Sequence, residues 1–129
     1  MDDLRRILHV DDDEDILQIV QLSLGLIGGF TLLQCSSGAE AVAKAADFSP
    51  DLMLMDFMMP DMNGYATLVE LRKNESLAHV PAIFMTAKNL ATDFDETISA
   101  AVIGSIMKPF DPMELPGQVS ELWAKNAAK

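Results

Sequence analysis

Short apolar runs alternate along this chain with segments of helical period. The runs Ile7-Leu8-His9-Val10, Leu52-Met53-Leu54-Met55, Ala82-Ile83-Phe84-Met85 and Ser105-Ile106-Met107 have the length and composition of buried strands. With a further run over Phe30–Cys35, they predict strands at roughly 5–10, 30–35, 51–55, 81–85 and 104–107. Between the first two, Ile16, Leu17, Val20, Leu24 and Ile27 recur three and four apart, as in a helix that buries one stripe, until Gly28-Gly29 stops it.

Ser37-Gly38-Ala39-Glu40 has the form of a capping box and opens a second, Ala-rich helix that ends near Ser49-Pro50. Tyr65, Leu68, Val69 and Leu71 carry a third helix, ending before Pro81. The segment 90–101 has a thin stripe and the poor helix formers Thr92, Asp93, Thr97 and Ser99, so it is expected to be the most mobile helix. A last helix follows Phe110, with Asp111 able to cap, Pro112 suited to the first turn, and Val119, Leu122 and Trp123 facing inward. Pro116 leaves two possibilities, a separate first turn or a regular helix that starts near Leu115. Strands alternating with helices predict an α/β fold around a parallel sheet.

In such a sheet the carboxyl ends of the strands lie side by side, and ligands bind in the crevice beyond them. Asp11 and Asp12 follow the first strand, Asp56 the third, Thr86 the fourth and Lys108 the fifth. Crowding carboxylates is costly without a cation, because like charges a few ångströms apart disfavour joint ionisation. A hard divalent ion relieves that cost, and one or two carboxylates with waters is the usual way to hold Mg²⁺. Each residue also has a plainer reading. The acids at 11–15 could be a first turn complementing a helix dipole, as Asp13, Glu14 and Asp15 are expected to do. Asp56 could be a turn acid, the reading that suits Asp51 and Asp61 better, Thr86 a packed residue and Lys108 a solvated one. Lys108 precedes Pro109, which favours an extended backbone, and its ammonium could pair with Asp56 or with a phosphoryl oxygen. Gly64 is read as the residue that lets the loop after Asp56 turn into a helix.

Composition narrows the function classes. At 129 residues the chain is expected to be one domain, 1–129, standing alone. Net charge of −11 and only nine basic residues argue against nucleic-acid binding. No apolar stretch reaches membrane-spanning length, and the amino terminus lacks a signal-peptide pattern, so no membrane association and a cytoplasmic location are expected. The single cysteine, Cys35, reads as a small packed side chain. Met58, Met59 and Met62 read as soft loop packing, and His9 and His79 as core or surface residues.

At these residues the chain resembles the receiver domain of bacterial two-component response regulators, over nearly its full length. The resemblance rests on Val10-Asp11-Asp12-Asp13, on Met55-Asp56-Phe57-Met58-Met59-Pro60-Asp61-Met62-Asn63-Gly64, on Met85-Thr86-Ala87 and on Lys108-Pro109-Phe110. It implies a flavodoxin-like, doubly wound five-stranded parallel sheet of order 2-1-3-4-5 with five flanking helices. It further implies that Asp56 accepts a phosphoryl group from a phosphohistidine on a histidine kinase or histidine phosphotransfer protein, and that the chain alters a surface read by a downstream protein. Mg²⁺ would be held by Asp12, Asp56 and the backbone carbonyl of Met58, with Asp11 acting through water. Thr86 and Lys108 would bind phosphoryl oxygens.

The chain would catalyse only its own phosphoryl transfer and dephosphorylation. The rivals are a phosphorylation-independent binding module or phosphate sink of the same fold, and a phosphatase, which commonly has an acid where Met58 stands. Three residues before Lys108, where many receivers carry Tyr or Phe, stands Ser105. The output surface in relatives is formed by the last helix and strand with the fourth helix. Met58 and Lys88 occupy positions that tune hydrolysis in the family, and neither could orient an attacking water, so the phosphorylated form is expected not to be unusually short-lived.

Overall fold

The computed structural model describes residues 3–87 and 96–127. Five parallel strands, β1 (Arg6–Val10), β2 (Thr31–Cys35), β3 (Leu52–Asp56), β4 (Ala82–Thr86) and β5 (Val102–Met107), form one sheet in the order β2-β1-β3-β4-β5. This is the flavodoxin-like order that the resemblance implies. The predicted strands fall within a residue or two of those observed. Asp56 and Thr86 prove to be the last residues of their strands, and β5 begins earlier, directly after a helix that ends at Ala101.

Consecutive side chains of a strand point to opposite faces, and both faces of this sheet are covered. Leu8, Val10, Met53, Met55 and Phe84 face one layer, with α2 (Gly38–Phe48), α3 (Gly64–Arg72) and α4 (Glu96–Ala101). Ile7, Leu52, Leu54, Ile83 and Met85 face the other, with α1 (Glu14–Val20) and α5 (Leu115–Ala127). All ten strand residues are fully buried. Among the described residues no helix is long and apolar enough to cross a membrane.

The local sequence accounts for most helix ends. The Asp13 carboxylate accepts from the Asp15 and Ile16 amides and caps α1. Ser37 caps α2 by accepting from Glu40 N–H, but the Glu40 carboxylate returns to the Ser36 amide, one residue earlier than a reciprocal box would place it. At the last helix, Asp111 accepts from the Met113 amide in a separate turn, and the regular helix starts at Leu115, which leaves Pro116 in the first turn, where its missing N–H costs nothing. Asp51 does serve a turn: its carboxylate accepts from the amides of Arg5 and Arg6 and pins the start of β1. The first half of the predicted segment 90–101, including Thr92 and Asp93, lies outside the described residues, and the second half is α4.

The first helix departs from its pattern. After Val20 it continues as a π-helix over Gln21–Ile27, seen in the bond from Gly28 N–H to the Ser23 carbonyl, and it stops at Gly28-Gly29 as expected. The wider turn keeps Val20 and Leu24 buried but rotates Ile27, assigned by α-helical spacing to the inner stripe, out to 52% exposure. The helix is not one-sided, because Ile19, Leu22 and Leu26 are exposed as well.

Candidate functional site

The loops that follow the strands are tied to neighbouring strands by backbone bonds. Asp11 N–H donates to the Cys35 carbonyl, Phe57 N–H to Met85 and Lys108 N–H to Thr86. These ties set Asp11, Asp12, Asp56, Thr86 and Lys108 along one sheet edge. One oxygen from each of Asp11, Asp12 and Asp56 lies within 4.8 Å of the others. Asp11 and Asp56 are buried and Asp12 is exposed, so the cluster opens to solvent on one side.

Lys108 bridges the two buried acids. Its Nζ is 2.9 Å from Asp11 Oδ2 and 3.3 Å from Asp56 Oδ1. Sequence reasoning offered Asp56 or a phosphoryl oxygen as its partner; the shorter bond goes instead to Asp11, which is fully buried and has the greater need of a counter-charge. The other Asp11 oxygen accepts from Asp13 N–H, and Asp56 Oδ1 also accepts from Met58 N–H at 3.3 Å. The Lys108–Pro109 peptide bond is cis.

The charges are unequal to one another. Burial, then the charge of Asp11, push the Asp56 carboxyl above its usual range, against the pull of Lys108 and the Met58 amide. Burial works against the Lys108 ammonium, but the Asp11 hydrogen bond and the charges of both acids outweigh it and raise its pKa. Three carboxylates against one ammonium leave an excess of negative charge in a partly dry crevice. Such a set of hard oxygen donors suits a small divalent cation such as Mg²⁺.

Thr86 is buried at the end of β4, one residue past the Asp56–Met85 register pair. Gly64 matters for a reason different from the one read in the sequence. Its φ is not left-handed; rather, a Cβ there would come within 2.7 Å of the Asp56 carbonyl oxygen. Asp61 is the residue of that loop with positive φ, 65°, in keeping with its turn reading. Met59 is packed as expected, whereas Met58 is 71% exposed at the mouth of the site.

His9 is a fully buried core residue below the crevice. Burial and Lys108 push it down to about 3, and Gln34 meets its Nδ1, so the ring is neutral. Cys35 is buried and its thiol is pushed up to about 11 by burial and by Glu40. Ser105 is exposed on β5, and Lys88 lies outside the described residues. Sequence reasoning overlooked Met107 and Met113, which are exposed on the segment around Lys108.

Comparison with known proteins agrees with this geometry. Residues 7–120 match the model of the response regulator receiver domain. Among curated proteins, the probable transcriptional regulator ycf29 of Pyropia yezoensis is 34% identical over 124 residues, 96% of this chain and 55% of that protein. The DNA-binding response regulator MtrA of Mycobacterium tuberculosis is 35% identical over 128 residues, 98% of this chain and 54% of that protein. The chain thus spans about half the length of the curated relatives it matches. Among solved structures, the Vibrio cholerae chemotaxis protein CheY4 superposes with a TM-score of 0.83 at 26% identity, covering 93% of this chain and 99% of that one. The receiver domain of the sensor histidine kinase PA1611 of Pseudomonas aeruginosa, solved with a magnesium ion coordinated in its active-site cleft, has a TM-score of 0.78 at 28% identity, covering 95% and 99%.

Proposed function

Because the chain belongs to the response regulator receiver domain family, we propose that Asp56 is its phosphoacceptor and that Asp11, Asp12, Thr86 and Lys108 serve the transfer. It is a receiver of two-component signalling. The observation that carries the assignment is the convergence of three carboxylate oxygens within 4.8 Å beside an ammonium that touches two of the acids.

A carboxylate oxygen of Asp56 attacks phosphorus, the P–N bond of a phosphohistidine breaks, and the histidine nitrogen leaves with the bonding pair. The nucleophile has to be ionised, and Lys108 together with the Met58 amide favours that form against burial. Once a phosphoryl group stands on Asp56, the Lys108 ammonium and the Thr86 hydroxyl are donors for its oxygens. Asp12, Asp56 and the backbone carbonyl of Met58 would hold Mg²⁺, with Asp11 acting through water. When bound, the ion neutralises charge developing on the phosphoryl oxygens.

The histidine donor belongs to a kinase or a phosphotransfer protein. The acid content, net charge −11, supports a chain that itself carries no nucleic-acid surface, although MtrA, of which it matches half, is named as DNA-binding. Met58 in place of an acid favours a signalling acceptor over an enzyme that turns over external phosphate esters. The absence of a spanning helix among the described residues fits a cytoplasmic setting.

Incubation with acetyl phosphate and Mg²⁺ tests the assignment. A mass gain of one phosphoryl group, mapped to Asp56 and lost in Asp56→Asn, is expected. No gain, or a gain on another residue, overturns it. Partner binding unchanged by the modification would favour the phosphate sink.

A further inference from the structure

In a chain with 20 acids and nine Lys and Arg, a cation without an acid beside it is unexpected. Among the described residues Arg5, Lys44, Lys73, Lys108 and Lys125 each lie against a carboxylate. The Arg6 and Arg72 guanidinium groups do not. Arg6 is fully engaged by Phe48, since its Nε and Nη2 donate to the Phe48 carbonyl and the group lies over the Phe48 ring at 4.2 Å. Arg72, the last residue of α3, is half-buried and makes one bond, from Nη1 to the Leu77 carbonyl. Burial alone pushes its pKa below the usual guanidinium range, with no carboxylate to oppose it.

Complementing the dipole of α3 does not account for that burial, because Lys73, one residue on, meets the same helix end from solvent. The Arg72 side chain instead lines a cavity of about 400 Å³, within the range of roughly 300–1,000 Å³ found for small-molecule sites. His79 and Asn126 add an imidazole and a carboxamide, and Pro81, Ala101 and Ile103 supply apolar wall. Among the described residues no acid lines it. The cavity lies between the carboxyl ends of α3, α4 and α5 and the amino ends of β4 and β5, at the opposite edge of the sheet from Asp56.

We propose that this cavity binds a small organic carboxylate, with its charged end on Arg72 and its apolar body against Pro81, Ala101 and Ile103. A guanidinium presents paired N–H donors that match the two oxygens of a carboxylate. With Nη1 on Leu77, the edge formed by Nε and Nη2 keeps such a pair without a partner among the described residues. Charge selects a carboxylate over a phosphate ester. One guanidinium balances one negative charge, whereas a phosphate monoester brings about 1.5–2 at neutral pH, and the remainder would be opposed by a molecule of net charge −11. The apolar wall favours a ligand with a hydrocarbon body over a bare anion. Because the cavity is at the far edge of the sheet from Asp11, Asp12 and Asp56, binding requires neither Mg²⁺ nor phosphorylation.

Mapping of backbone amide chemical shifts in the full chain, in EDTA and with benzoate as the probe, tests the proposal. Saturable shifts at Arg72, His79, Ala101, Ile103 and Asn126 are expected. Benzyl alcohol, which keeps the ring and lacks the charge, and inorganic phosphate, which keeps charge and lacks the ring, should each bind at least about tenfold more weakly. Arg72→Met should weaken benzoate by a similar factor or more. Ala100→Leu, which fills the cavity from an exposed position and leaves Arg72 and its bond to Leu77 in place, should do the same, and it decides the matter if Arg72→Met does not fold. No saturable shift with benzoate up to tens of millimolar overturns the proposal. So does equal affinity for benzyl alcohol, which would make the cavity a purely apolar site, or tighter binding of phosphate, which would make it a phosphate site. Shifts centred on Asp11 and Lys108, or benzoate binding indifferent to Ala100→Leu, would place the ligand elsewhere and overturn it equally.

Discussion

Replacing Lys108 with methionine keeps the length of the side chain and removes the ammonium that bridges Asp11 and Asp56. At the observed 2.9 Å, the attraction to Asp11 alone is roughly 6 kcal/mol at an effective dielectric of 20, and about 1.4 kcal/mol in bulk water. The Lys108 side chain is 20% exposed and that of Asp11 is not exposed, so the pair sits between those limits. Removing one partner of a buried pair typically costs about 3–5 kcal/mol, mostly because the other charge is stranded. The low end, about 3 kcal/mol, is expected here because water reaches the lysine end of the bridge. Urea unfolding at neutral pH in EDTA, with an unchanged m-value as the control, measures it. Adding Asp11→Asn removes the stranded charge, and the double variant should recover about 2 kcal/mol of the sum of the single losses. A Lys108→Met loss under about 1 kcal/mol, or strictly additive single losses, would refute the claim that this bridge holds the site together.

Asp56→Asn should stabilise the metal-free protein at pH 7. The folded state raises the Asp56 pKa above 3.8, chiefly through burial and then through Asp11, so its contribution to stability is full below that value and is lost as pH rises through the folded pKa. The advantage of the asparagine variant should therefore shrink on acidification, and a pH-independent difference would contradict it. Mg²⁺ should raise the melting temperature by mass action, worth about 1.4 kcal/mol at ten times its dissociation constant, and Asp12→Asn should blunt the response. Equal responses in both proteins would remove Asp12 from the metal site. Cys35, buried and with its thiol near 11, should resist Ellman's reagent at pH 8 until the chain is unfolded in denaturant. Rapid labelling of the native protein would place that thiol at the surface.

Much of the fold was legible because a parallel sheet covered on both faces writes itself as short apolar runs, and a residue or two at each strand end was all that shifted. The crevice was legible because topology alone sets strand ends side by side. What lay beyond the sequence was pairing within the crevice: that Lys108 prefers Asp11 depends on which acid is more deeply buried, a quantity no spacing encodes. Gly64 was singled out correctly but for the wrong cause, since the approach of the Asp56 carbonyl is a tertiary contact. The outward turn of Ile27 was hidden because 20, 24 and 27 fit an α-helix, and hydrophobic spacing cannot register a π-turn that widens the helix midway.

Trp123, the single tryptophan, is partly buried on α5 against the sheet, next to Leu122, whose side chain reaches within 2.7 Å of where a Cβ on Gly104 would stand. β5, the strand that runs into Lys108, can therefore bring α5 unusually near, and the indole packs against the core on that same side of the sheet. The protein thus carries a built-in fluorophore whose emission follows how α5 is seated, and any event at the strand end that lifts or tilts the helix becomes readable by eye of the spectrometer, without a label.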